Sequence, residues 1–280
     1  MPEGRLIVCA TPIGNLGDVT LRVLDALRGA DVVEAEDTRV TRRLFARHGI
    51  ATPLEPYHAK NLERRTPQVV ARVASGQNVA LVSDAGTPGI SDPGARLVDA
   101  CLADGLVVEV LPGPSAIVTA LVASGLPTHA FYFGGFLPRK AGDRTRVLES
   151  LARLEATLVF YESPRRVAAT LASIAEALPG RRAVMARELT KVHEEVVRGQ
   201  VEELARDLAS RELKGEAVLL VGPPDRHAAL EVDLADLKSR VDVLVSRGST
   251  RKDAVMQVAR ETGLPRNTVY TAAVGRIAKA

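Results

Sequence analysis

Tryptophan is absent from this 280-residue chain, and only five Phe and four Tyr are present. The core must therefore be aliphatic, built on Ala, Val and Leu, and no aromatic platform for single-stranded nucleic acid stands out. Cysteine is nearly absent too. Cys9 lies in an apolar run and Cys101 in a helical pattern, which excludes a disulfide framework or a thiolate metal cluster and leaves two buried, inert thiols. Nowhere do eighteen apolar residues follow one another, and Glu3 precedes only a short apolar run ending at Thr11-Pro12, so neither export nor a membrane span is expected. His48, His58, His129, His193 and His227 show no ligand spacing, and no metal is expected. A nucleophile elbow and a Cys/His pair are also missing, which disfavours covalent catalysis.

What is present is the balance of a soluble globular protein, with 46% hydrophobic and 25% charged residues in a length that suits two domains and a small appendage. The net charge of +3 is unevenly spread, because Arg226 to Ala280 carries the basic excess. Further cations cluster at Arg39, Arg42, Arg43 and Arg47 and at Arg139, Lys140, Arg144 and Arg146. Such clusters are solvated helix faces or a surface for a polyanion.

Short β-branched runs at 6–10, 32–35, 79–83, 107–111, 158–161, 183–186 and 217–221 read as strands. Helical spacing of apolar residues separates them, at 21–27, 67–74, 93–103, 165–178 and 201–209. The alternation predicts an α/β fold, largely parallel in its first half. Residues 1–116 are expected to form a first α/β domain and 117–224 a second. Gly222-Pro223-Pro224 then halts any strand or helix, and 225–280 reads as a basic helical region with helices near 230–247, 251–262 and from 266 to about 279.

Four strand ends lead into loops able to carry chemistry. The first, 11–18, lacks both the GxGxxG spacing and the Lys of a phosphate-binding loop. The second, Ser83 to Gly94, holds Gly, Pro and Asp at a density too high for a plain turn; glycine allows close backbone approach, and the acids accept from hydroxyl or amino groups. The third is 111–116. Because ligands of α/β sheets bind at the carboxyl ends of strands, these three are expected to converge on one rim. The fourth, 186–191, mixes charges and is followed by His193-Glu194-Glu195.

Read in order, ATPIGNLGDVTLR, EDTRVTRRL, YHAKN, LVSDAGTPGISDPG, LPGPSAIVTAL, GFLPRK, YESPRR, ARELTKVHEE and GEAVLLVG resemble the tetrapyrrole-methylase-like superfamily over about four-fifths of the chain. Within it, they resemble the branch that methylates a ribose 2′-oxygen of a cytidine in the decoding region of 16S ribosomal RNA. It implies S-adenosyl-L-methionine held in a cleft between two α/β domains, a homodimer, and 16S rRNA or the small ribosomal subunit as partner, in the cytoplasm. By motif position, cofactor contacts fall on Leu16, Asp84, Gly86, Thr87, Pro88, Ile90, Ser115, Ala116, Tyr161, Ala186 and Glu216. Thr87 departs from the Gly-Asp-Pro of many relatives, and a hydroxyl there donates where a carboxylate cannot.

A ribose hydroxyl is a poor nucleophile at neutral pH, so a base or a cation stabilising the alkoxide is expected among Glu36, Asp37, His58, Asp84, Glu188 and Lys191. Phosphate contacts are expected outside the cleft, at Arg39, Arg42, Arg43, Arg139 and Lys140. The last two helices, with Arg251, Lys252 and Arg266, resemble a helix-turn-helix or a packing hairpin. The alternatives are a methylase acting on a small tetrapyrrole and a non-catalytic ribosome-assembly factor.

Overall fold

A computed structural model of the chain describes residues 4–224, 234–262, 264 and 266–274. The first sheet is built from β1 (Arg5–Cys9), β2 (Val32–Ala35), β3 (Leu54–Pro56), β4 (Asn78–Val82) and β5 (Val107–Leu111), in the order β3-β2-β4-β1-β5 with every pair parallel. Between successive strands run α1 (Leu21–Gly29), α2 (Thr38–His48), α3 (Leu62–Ala74) and α4 (Gly94–Ala103). Helices on both faces bury both sides of the central strands, which is why these strands are continuous apolar runs rather than alternating ones. Ile7, Cys9 and Ala80 pack on one face against Val23, Leu27 and Phe45, while Leu6, Val8 and Val79 pack on the other against Val69, Val73 and Leu97. Glu34 is the exception in β2: fully buried, it accepts from Arg65 of α3, a pairing that offsets part of the cost of placing a carboxylate in the sheet.

The second sheet holds β6 (Phe131–Phe136), β7 (Thr157–Glu162), β8 (Arg182–Arg187), β9 (Glu195–Gln200) and β10 (Ala217–Val221), in the order β6-β7-β10-β8-β9. Only β6 and β7 are parallel. One face is covered by α6 (Ala141–Ser150), α7 (Val167–Ala177) and α8 (Val201–Ala209), whose Leu148, Leu171, Ile174 and Leu204 meet Leu158, Phe160 and Leu219. The other face takes α5 (Ala116–Ser124) through Ile117, Ala120 and Leu121, together with Ile13 from the loop after β1. Residues 4–223 form one compact unit.

The strands read from the sequence are all present, within a residue or two of their expected ends. Three were not legible. β3 has only three residues, β6 is interrupted by Gly134-Gly135, and β9 carries the charges and glycine of EVVRGQ. α2 was hidden because its Arg residues read as a charge cluster, although Thr41, Leu44 and Phe45 give it a buried stripe. The chain from Pro224 onward forms a second unit, divided off at the expected Pro-Pro break. It contains α9 (Leu234–Ser246), α10 (Arg251–Thr262) and α11 (Arg266–Val274) around Leu237, Val241, Val255, Val258 and Val269. The expected starts of α9 at 230 and end of α11 at 279 lie outside the described residues.

Candidate active site

The parallel order brings the carboxyl ends of β4, β1 and β5 side by side, and the three glycine-rich loops converge there. Thr11 and Gly86 exchange backbone hydrogen bonds (2.9 and 3.0 Å), and the Thr11 hydroxyl donates to the Ser83 carbonyl at 3.1 Å. The first loop also spans the two sheets. Gly14 lies so close to Leu189, Thr190 and Lys191 that a Cβ there would stand 2.8 Å from the Leu189 carbonyl oxygen.

Within the loop from Ser83 to Gly94, Asp92 is the organiser. Its carboxylate accepts from the Gly89 N–H (2.9 Å) and the Gly94 N–H (2.7 Å), closing the loop onto the start of α4. Ser91 is held at φ 63° between these anchors. The other two non-glycine residues with left-handed backbone among the described residues are Glu188 and Thr190, at φ 51° and 67° in the loop facing it. Such conformations cost of order 1–3 kcal/mol each and persist where surrounding contacts over-determine them. At Glu188 those contacts are explicit: its carboxylate accepts from Lys191 Nζ (2.8 Å) and from the Glu216 N–H (3.0 Å), while Lys191 also reaches Glu216 at 3.1 Å. Gly215 has φ 87°, and a Cβ on it would collide with the Glu188 carboxylate.

Between these walls lies a cleft of about 400 Å³. Asp84, Gly86, Thr87, Ile90, Ser115, Ala116, Tyr161, Ala186 and Glu216 line it, as do Glu36 and Glu188. Other expected site residues lie elsewhere. Pro88 is buried beneath the loop it stiffens, and Leu16 sits in a short 3-10 turn whose carbonyl faces His48. Asp37 caps α2 and clasps Arg39 (2.5 Å), while its N–H donates to Asp84 at 2.9 Å. Lys191 supports the wall from behind through Glu188 and Glu216. His58 is one strand further out, since the Tyr57 N–H bonds the Ala35 carbonyl and so sets His58 beside 36–37 on the rim.

Sequence reasoning missed Asp92 as a lining and loop-closing residue, and it missed Phe136, which lines the cleft beside Tyr161 at a ring separation of 5.6 Å. Arg39, Arg42, Arg43, Arg139, Lys140, Arg251, Lys252 and Arg266 are all exposed, as phosphate contacts must be.

The lining is acidic. Burial, then the nearby Asp84 carboxylate, pushes the Glu36 carboxyl above its ordinary value, and Asp84 is raised chiefly by burial. Burial alone would also raise Glu188, but the Lys191 ammonium and the Glu216 N–H carry it below the ordinary value. Asp37, outside the cleft, is held down to about 2 by Arg39. A site with several carboxylates and few cations suits a positively charged ligand with hydroxyl and amino donors.

Residues 5–205 match the model of the tetrapyrrole (corrin/porphyrin) methylases. The chain belongs to the tetrapyrrole methylase family. It is accordingly a methyltransferase, and the donor it uses is S-adenosylmethionine. A relative from Mesorhizobium japonicum named ribosomal RNA small subunit methyltransferase I is 45% identical over 96% of this methylase and 90% of its own length. One of the same name from Thermotoga maritima is 42% identical over 218 residues, which is 98% of that protein but 78% of this chain. Among solved structures, the methyltransferase CobJ shares the fold, with a TM-score of 0.61 at 24% identity over 79% of this chain and 94% of that one.

Proposed function

We propose that this methylase acts on RNA of the small ribosomal subunit, transferring the methyl group to the 2′-oxygen of a cytidine ribose in the decoding region of 16S rRNA. The observation that carries the reading is the near full-length similarity to relatives named for small-subunit ribosomal RNA, on a chain whose acidic cleft is flanked by exposed cations. S-adenosylmethionine supplies a methyl group already activated on a sulfonium. The cleft fits it: Gly86, Thr87, Ser115 and Ala186 offer close backbone approach, and Asp84 and Glu216 offer carboxylates to its cationic and hydroxyl-bearing parts. Alignment of the hydroxyl with the methyl is the main catalytic task.

Glu36 is the group that takes the proton from the attacking hydroxyl. Its competitors in the lining are committed elsewhere: Asp92 to loop N–H groups, Glu188 and Glu216 to Lys191, Glu162 to Thr170 and Arg166, and Asp84 to the Asp37 N–H. Glu36 accepts only a 3.4 Å contact from the Asp84 N–H, and no cation pairs with it among the described residues. The acidic lining repels a phosphate backbone, so the RNA is held at the rim, by Arg39, Arg42 and Arg43 on α2 and by Arg139 and Lys140 beyond β6. Arg251, Lys252 and Arg266 of the C-terminal unit add phosphate contacts. The active form is a homodimer in the cytoplasm. Val107 and Val110 on the edge strand β5, with Val118 and Val122 on α5, leave apolar surface exposed for a second copy.

The test is incubation with labelled S-adenosylmethionine and purified small subunits, or a tetrapyrrole. Label in 16S rRNA is expected, and Asp84→Ala is expected to abolish it. Label in the tetrapyrrole, or in neither, overturns the reading.

A further inference from the structure

Phe136 is an oddity of the cleft. The described lining is otherwise mostly small side chains, carboxylates and backbone, yet here a phenyl ring stands 57% exposed to solvent at its wall. Leaving such a ring in water forgoes the stabilisation that burial would bring. The backbone is shaped to put it there. Pairing of β6 with β7 is regular from Phe131 to Phe133 and then shifts, so that Phe136 opposes Tyr161. Gly134 lies against the Phe160 ring, with 2.5 Å from a built Cβ to Cε1, and Gly135 has φ 60°. Only glycine fits the first position, and glycine is strongly favoured at the second. A bulge of this kind re-aims a side chain. Here it turns Phe136 off the sheet and into the cleft.

The ring's surroundings are equally specific. Gly135 faces Ser91 of the opposite wall, 3.7 Å from a built Cβ to the hydroxyl. Tyr161, less exposed than Phe136, sits on its inner side at 5.6 Å. Past Phe136 come Arg139 and Lys140, and beside the lining residues Ser163 and Pro164 comes Arg165. All three cations are exposed and have no carboxylate partner among the described residues. An exposed ring at the mouth of a methyl-transfer cleft, bordered by unpaired cations, has the composition that grips an unstacked base and its neighbouring phosphates.

We propose that Phe136 is the stacking platform for the base of the target nucleotide, swung out of its RNA stack into the cleft mouth, while Arg139, Lys140 and Arg165 hold the flanking phosphates. The inference rests on the reading of RNA as substrate. Stacking brings the ribose of the same nucleotide toward Glu36 and leaves the cofactor wall around Asp84 and Thr87 free. Base specificity then comes from groups around the ring, since every base has a face to stack.

The experiment compares the full chain with Phe136→Ala, Phe136→Leu and Phe136→Trp. Methyl transfer to small subunits gives KM and kcat, and calorimetry gives the affinity for S-adenosylhomocysteine. Phe136→Ala is expected to raise KM for the subunit about 10-fold or more, from the worth of one stacked base. Phe136→Leu, which keeps bulk without a π face, should lose nearly as much, and Phe136→Trp should retain binding. Donor affinity should not move in any of them. Equal KM for the leucine variant and wild type overturns stacking. A parallel fall in donor affinity assigns the ring to the cofactor and overturns it as well. If wild type binds the donor but labels no RNA, the substrate reading fails first and the platform falls with it.

Discussion

Glu36 and Asp37 are neighbours at the end of β2, and the sequence gives no reason to treat them differently. The structure separates them. Asp37 faces outward, caps α2 and is held down to about 2 by Arg39, whereas Glu36 faces the cleft, where burial raises it. In its proposed role as proton acceptor Glu36 must be ionised, so kcat/KM should rise with pH through a point above the ordinary glutamate value. Glu36→Gln should abolish that limb and lower kcat by about 10²–10⁴. The same shift has a consequence for stability. A carboxyl raised by folding opposes the fold above its unfolded value and is silent below it. Glu36→Gln should therefore melt higher than wild type at pH 7, with the difference vanishing as pH falls below the ordinary carboxyl value. Thermal unfolding across pH checks the sign, and a lower melting temperature at pH 7 would remove burial as the cause.

At the scale of elements, the loop from Ser83 to Gly94 and the bulged strand β6 do the positioning. The loop was legible as a ligand wall from its glycines, prolines and acids. Which acid touches ligand and which holds the loop was not, because that depends on where Gly89 and Gly94 point their N–H groups. Asp92→Ala leaves both N–H groups without the carboxylate, at about 1.5–3 kcal/mol for a charged hydrogen bond. The variant should melt lower and bind S-adenosylhomocysteine more weakly, whereas Asp84→Ala should weaken binding with little change in melting. Equal effects of the two on melting would overturn this division of labour. β6 shows the opposite failure of reading. The paucity of aromatics in the chain argued against a stacking platform. One correctly aimed ring suffices, and its aim is fixed by contacts of Gly134 with Phe160 that no local pattern encodes.

For the whole molecule, the first unit carries both sheets and the cleft, and the helical unit from Pro224 has a core of its own. The Thermotoga relative, matched over nearly all its length, leaves about a fifth of this chain without a counterpart. Because the first unit is compact on its own, a fragment of residues 1–223 should fold and keep donor affinity, while binding small subunits more weakly through loss of Arg251, Lys252 and Arg266. Unchanged subunit affinity would reduce the C-terminal unit to a packing hairpin. Of those three cations, Arg266 is the one in the described span of α11.

The sequence by itself determined the alternation of strands and helices, the parallel first half, the break at Gly222-Pro223-Pro224 and the loops that line the cleft. Those follow from local physics: apolar periodicity, the conformational range of glycine and the limits of proline. The strand order β3-β2-β4-β1-β5 was left to the tertiary structure, and with it the meeting of loops far apart in the chain. So were the facing of Glu36 into the cleft with Asp37 outside it, the closing role of Asp92 and the turn of Phe136 into the cleft. Each of these depends on which groups end up beside it across the cleft, and neighbours across a cleft are set by how the two sheets pack.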